Sequence, residues 1–155
     1  MIIKTPSSLL ICQLLLVCNI SHLFAHNDLD TSRCESEIAY YSIQEALAEV
    51  EDVIKLDIAM NKLTSIDPKI GELANLECLD LSFNKISNLP IEIANLKKLR
   101  VLDLKGTRYL TSLPKIIQEL TNLQLVDLRD HPEWNKEQFE KAINMLPNTI
   151  VLIDK

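Results

Sequence analysis

Glycine is nearly absent from this chain, with only Gly71 and Gly106 among 155 residues. A phosphate-cradling loop needs several glycines close together, so nucleotide chemistry of that kind is excluded. Aromatic residues make up 5% against a hydrophobic content of 47%, so the core has to be built from layers of Leu and Ile. No run of like charges occurs, and the net charge is −6. Affinity for a phosphate backbone needs clustered Lys and Arg, which argues against nucleic acid as a partner. The longest apolar run, from Leu9 to Val17, is shorter than the roughly 20 residues that cross a bilayer. Histidine is scarce too. A Ser/His/Asp or Cys/His site needs a histidine on a rigid scaffold beside a nucleophile, and His26 and His131 have no such setting. No cofactor, no metal and no enzyme activity are expected.

The chain does contain a repeat. Leu76, Leu79, Leu81, Asn84 and Ile86 write LxxLxLxxNxL. The same frame fits Val53, Leu56, Ile58, Asn61 and Leu63 upstream. Downstream it fits Leu99, Leu102, Leu104 and Thr107, then Leu123, Val126, Leu128 and His131. The key positions advance from 61 to 84, 107 and 131, steps of 23, 23 and 24 residues, a period typical of stacked repeats that borrow each other's apolar faces. Between turns lie IDPKIGEL, LPIEIANL and LPKIIQEL. The full unit resembles the bacterial leucine-rich repeat of LPxxIxxLxxLxxLxLxxNxL type.

That resemblance implies an α/β fold, a leucine-rich repeat solenoid with a short parallel sheet on its concave side. The LxL dipeptides alternate with outward residues at strand spacing. The ladder residue at each strand end is expected to bond the turning backbone through its amide, as Asn61 and Asn84 both could, while Thr107 and His131 replace it with less suitable groups. His131 is read as structural. Pro68, Pro90 and Pro114 should each open a helical turn on the convex side as its first residue.

Residues 1–25 have the layout of a secretory signal peptide: one charge at Lys4, an apolar centre, and the small Ala25 after Leu23 and Phe24. Cleavage after Ala25 would leave a chain of −6 − 1 = −7, because Lys4 is the only charge removed. A lipid anchor at Cys18 is the weaker alternative, since Val17 stands where lipoprotein signals carry a small residue. Export would leave a secreted or periplasmic protein that does not insert in the membrane. Residues 26–41 read as a flexible lead-in and 42–155 as the repeat domain. In that domain 42–52 form an N-terminal helical cap, 53–131 the repeats and 132–155 a C-terminal helix-strand cap. Ser42 and Glu45 make a capping box ahead of Ile43, Ala46, Leu47 and Val50. Phe139, Ala142, Ile143 and Leu146 share one helical face before IVLID, read as a fifth strand. LPNTIVLID resembles the LPNCxIIF ending of bacterial relatives, so the solenoid is expected to be complete. Cys34 and Cys78 would survive processing, and free thiols are expected because Cys34 lies before the cap and Cys78 on the sheet.

The outward sheet positions carry the functional reading. An aspartate recurs at the centre of every strand, Asp57, Asp80, Asp103 and Asp127, at about the 4.8 Å strand spacing where like charges repel. Flanking columns hold Lys55, Cys78, Val101 and Leu125 on one side and Ala59, Ser82, Lys105 and Arg129 on the other. The preferred reading of the acids is repeat consensus on a solvated face, with Lys105 and Arg129 relieving repulsion at one end. The rival is an acidic strip for a basic partner or a divalent cation, although a flat ladder with one oxygen donor per strand cannot wrap an ion such as calcium. The expected function is protein binding by a monomer through the concave face. The candidate residues on that face are Asp80, Phe83, Val101, Asp103, Lys105, Arg108, Tyr109, Leu125, Asp127 and Arg129, with the centre in the C-terminal half and Met60 and Phe83 at the rim of the less important N-terminal half. An inhibitor of an extracellular enzyme is the alternative, and an enzyme using the aspartates a distant third.

Overall fold

Leucine at every third or second position dictates what the chain builds: short strands that each bury one central side chain, joined by tight convex turns. The computed structural model describes residues 34–35 and 37–154, together with the backbone of residues 2–3. Residues 1–25, read as a signal peptide, and Cys18 within them therefore lie outside the described residues, apart from that short backbone stretch. In chain order the elements are β1 (Ile2–Ile3), β2 (Ala39–Tyr40), helix α1 (Ile43–Ala46), β3 (Lys55–Asp57), β4 (Cys78–Asp80), β5 (Val101–Asp103), β6 (Leu125–Asp127), helix α2 (Lys136–Met145) and β7 (Ile150–Leu152). Three 3-10 turns, Pro68–Glu72, Ile91–Asn95 and Lys115–Glu119, form the convex side.

The sheet runs β1-β7-β6-β5-β4-β3-β2, with β2 to β7 parallel and β1 antiparallel on the β7 edge. Register is constant: Leu56, Leu79, Leu102, Val126 and Val151 align, as do Asp57, Asp80, Asp103 and Asp127. Leu81 is fully buried, with Ile58 at 2% and Leu104 at 0% exposure in the neighbouring turns. The convex turns contribute Ile70, Ile93 and Ile117 to the same core. IVLID does form the strand that closes the parallel series as β7.

Several expectations fail in detail. The segment read as a flexible lead-in contains β2, which pairs in parallel with β3 through Ala39–Lys55 and Tyr40–Leu56. The apolar edge of the first repeat attracts a strand there even though the segment shows no periodicity. Helix α1 stops at Ala46 rather than running to Val50. The Ser42 hydroxyl accepts from the Glu45 N–H at 3.1 Å, but the Glu45 carboxylate accepts from the Tyr41 N–H instead of closing a box. The full box is at α2, where Asn135 and Gln138 bond each other's backbone. Only Pro68 is a first helical residue; Pro90 and Pro114 stand one place earlier, as extended N-cap residues.

The ladder also departs from expectation. Asn84 works fully: its Oδ1 accepts from the Leu63 N–H at 3.0 Å, and its Nδ2 donates to Ile58 O at 2.8 Å and Leu81 O at 2.9 Å. Asn61 is exposed, because the segment before it is β2 and α1 rather than a repeat turn with matching backbone groups. Thr107 and His131 share the work of one asparagine. The Thr107 hydroxyl donates to Leu104 O of its own turn at 2.7 Å, and His131 Nε2 reaches back a turn to the same oxygen at 2.9 Å. An acceptor at that distance fixes Nε2 as the protonated nitrogen, and burial of the ring lowers the His131 pKa.

Candidate functional site

Each concave aspartate has a backbone task. The Oδ1 atoms of Asp57, Asp80, Asp103 and Asp127 accept from the N–H two residues on, in Ala59, Ser82, Lys105 and Arg129, at 3.2, 2.8, 2.8 and 3.0 Å. The carboxylate thus satisfies a donor that the ending strand leaves open, the local side-chain bond for which Asp is suited. This replaces the reading of the column as freely solvated groups. Asp103 is the most perturbed member. Burial raises its pKa to about 6, against the Lys105 N–H bond, and Asp80 and Asp127 on either side push the same way.

The two cations do not act together as expected. Arg129 clamps Asp127 through Nε at 3.0 Å from both carboxylate oxygens, with Nη2 on Oδ2 as well. Lys105 turns away from Asp103, lies 3.4 Å from Asp130, and sets its ammonium 5.4 Å from the centroid of the Phe83 ring. Leu125, expected to be exposed, is 8% accessible, with Val101 and Ile150 as its register partners on either side. Asp127 is likewise buried, at 3%. What remains exposed in this half is Arg108, Tyr109 and Arg129, with Phe83 at the rim and Val101, Asp80, Asp103 and Lys105 half-buried.

Beside the sheet runs a column that the sequence did not signal. Met60, Phe83, Gly106 and Asp130, each the residue before a ladder position, have φ of 57°, 54°, 66° and 60°. Only one is glycine, so no pattern of glycines marks the turn. At Gly106 the small residue is also required by space, since a Cβ there would stand 2.6 Å from the Phe83 ring. The ring therefore packs directly on Gly106 of the next turn and meets Lys105.

Cys34 and Cys78 form a disulfide with a Cα–Cα distance of 5.7 Å, which overturns the expectation of free thiols. Strand β2 explains it. Pairing with β3 brings the incoming chain alongside the concave column, and the five residues from Cys34 to Ala39 cover the two strand spacings to Cys78, about 10 Å. The N-terminal half of the concave face therefore carries the bridge, and Cys78 is 4% exposed. Among the described residues no group of three or more His, Cys, Asp or Glu could hold a metal ion, and no helix is long and apolar enough to cross a membrane.

One parallel strand per turn, a strand-end ladder, and Leu and Ile layers facing a row of 3-10 turns define an α/β leucine-rich repeat solenoid. A leucine-rich repeat family model matches residues 53–109. A solved leucine-rich repeat protein of Leptospira interrogans is 40% identical over 67% of this chain, with a TM-score of 0.59, and the match spans 26% of that protein's length. The plant peptide hormone receptor RGFR1, solved in complex with RGF2, is 27% identical over 64% of this chain and 15% of its own, at a TM-score of 0.44. No curated protein sequence matches. The chain thus has a leucine-rich repeat fold and spans about a quarter of the length of the Leptospira protein it resembles.

Proposed function

We propose that this chain is exported and binds another protein through the C-terminal half of its concave face. The observation that carries the reading is the exposed pair Arg108 and Tyr109 in the turn after β5. Tyr109 is 59% exposed and Arg129 is exposed in the following turn, whereas the N-terminal half holds the disulfide and has Met60 and Phe83 exposed at its rim. Exposed Tyr and Arg anchors around a half-buried apolar residue, here Val101, are where binding energy concentrates. Export is supported by the charge-poor apolar head ending at Ala25 and by the Cys34–Cys78 bridge, since such bridges persist in oxidising compartments. In this reading 1–25 is removed and 42–52 and 132–155 close the two ends of a monomeric solenoid.

The test uses the oxidised chain beginning at His26 as bait in extracellular material, followed by affinity measurement with the dominant protein recovered. Single replacement of Tyr109, Arg108 or Phe83 by Ala should weaken the complex by more than about 1 kcal/mol in at least one case. Convex changes, Lys69→Ala and Glu119→Ala, should leave it unaltered. Loss of binding in the convex variants alone would reject the face. Leu125 and Arg129 are poor probes, because one is buried and the other holds a buried carboxylate.

A further inference from the structure

The N-terminal end of the solenoid carries an unfilled ladder position. Beside it lies a groove of about 700 Å³ between α1 and the first convex turn, lined by Tyr41, Gln44, Asn61, Leu63 and Ser65 among others. One turn later, the equivalent asparagine shows what such a position holds. The Asn84 amide takes a carbonyl, Ile58 O at 2.8 Å, and a backbone N–H, that of Leu63 at 3.0 Å, both from the preceding turn. Asn61 has the same frame position and chemistry, yet among the described residues no group hydrogen-bonds its amide, and it faces solvent. Two other polar groups at the groove are engaged, since the Ser42 hydroxyl accepts from the Glu45 N–H and Asp67 from the Lys69 N–H, while Tyr41, Gln44 and Ser65 add polar side chains to its lining. The groove floor is apolar, with Ile58 and Ile66 buried to 2% and 4% exposure, and Tyr41 is 64% exposed at its edge.

We propose that this groove is a second binding site, for an extended segment of another polypeptide whose backbone pairs with the Asn61 amide as a preceding turn would. A side-chain amide presents one acceptor and a donor pair, which match a peptide C=O and N–H. The apolar floor accepts a side chain alongside. A second copy stacked end to end is a poor occupant. At the opposite end of the stack β7 is already paired with β1, and Trp134 Nε1 donates to Leu110 O, so that end offers no open turn.

The probe is a displayed library of linear nonapeptides, panned on the oxidised chain from His26 onward. Asn61→Ala should leave the melting temperature unchanged, because the group is exposed, and should weaken the selected peptides at least 5-fold. N-methylation of one peptide bond in a selected binder should remove binding, and Tyr109→Ala should leave it intact. That last arm separates this site from the concave one, so either can fail alone. Recovery of no binder, binders indifferent to Asn61→Ala and to N-methylation, or a concentration-dependent dimer lost in Asn61→Ala would each overturn the proposal.

Discussion

Replacing Asp103 by Asn should stabilise the protein at neutral pH and do nothing in acid. The aspartate stands between Asp80 and Asp127 in aligned strands, and its pKa is raised from 3.8 to about 6, chiefly by burial. A carboxyl whose folded pKa exceeds its unfolded value is bound to a proton in the folded chain across that window but not in the unfolded one. Stability therefore falls as pH rises from 3.8 towards 6, and the full cost is present above it. At 1.36 kcal/mol per pKa unit the ceiling is about 3 kcal/mol. Solvent at a half-buried position screens part of this, leaving about 1–2 kcal/mol. Asparagine keeps an Oδ1 that accepts from the Lys105 N–H, so the turn retains its bond while the charge disappears. At roughly 4 °C per kcal/mol for a domain of this size, Asp103→Asn should melt about 4–8 °C above the parent at pH 7.5. At pH 3.5, below both values, the two should coincide. Comparing variant with parent at each pH cancels the acid destabilisation expected from buried His131, whose lowered pKa acts in both proteins. Calorimetry at the two pH values checks this. An equal shift at both, or a loss at pH 7.5, would refute the electrostatic reasoning and leave the carboxylate as a purely structural acceptor.

The same change one strand on should have the opposite sign. Asp127→Asn leaves Arg129 without its bidentate partner in a 3% exposed site and should lower stability by about 1–3 kcal/mol in urea unfolding at pH 7.5. Leu81→Ala opens a hole between Ile58 and Leu104 and should cost about 2–5 kcal/mol; an unchanged melting temperature would mean that the core register is wrong. Reducing the bridge between Cys34 and Cys78, separated by 44 residues, should cost up to about 4 kcal/mol by loop-closure entropy, read as a lower urea midpoint with dithiol than without. Mass spectrometry of the exported protein should find His26 at its N-terminus, and an intact Met1 on secreted material would exclude cleavage.

How far the sequence could be read depended on whether a feature belonged to the repeat or to its exceptions. Register was legible because a constant period places Leu79, Leu102 and Val126 at equivalent points, and the aspartates follow automatically from the frame. Exposure on the same strands was not legible. Leu125 occupies the same outward column as Val101 and each has a paired strand on both sides, yet one is covered and the other half-buried, a difference that the column by itself does not show. The bridge escaped for a related reason: Cys34 lies in a stretch with no periodicity, and its place depends on β2, two residues long, which no pattern in residues 26–41 announces. The choice of partner for Lys105 lay beyond the sequence as well. Asp103 is two residues away on the same strand, but the Lys105 side chain finds Asp130 across the next turn and the face of Phe83.

The irregular half of the ladder has a physical basis that the repeat frame hides. An asparagine at this position does two jobs, closing its own turn and tying it to the one before, and Asn84 does both with a single amide. Threonine is too short for the second job and keeps only the first, through Leu104 O. Histidine is long enough to reach back and supplies the second from the following turn to that same oxygen. The carbonyl of Leu104 thus receives one bond from each of two turns, where Asn84 alone supplies Leu81 O and Ile58 O. The substitutions at Thr107 and His131 divide one hydrogen-bonding function between them around that carbonyl, and the side-chain tie from the Thr107 turn back to the Asn84 turn is the bond given up. Asn61, with β2 and α1 before it instead of a turn, makes neither bond among the described residues, and the proposed peptide site rests on that open amide.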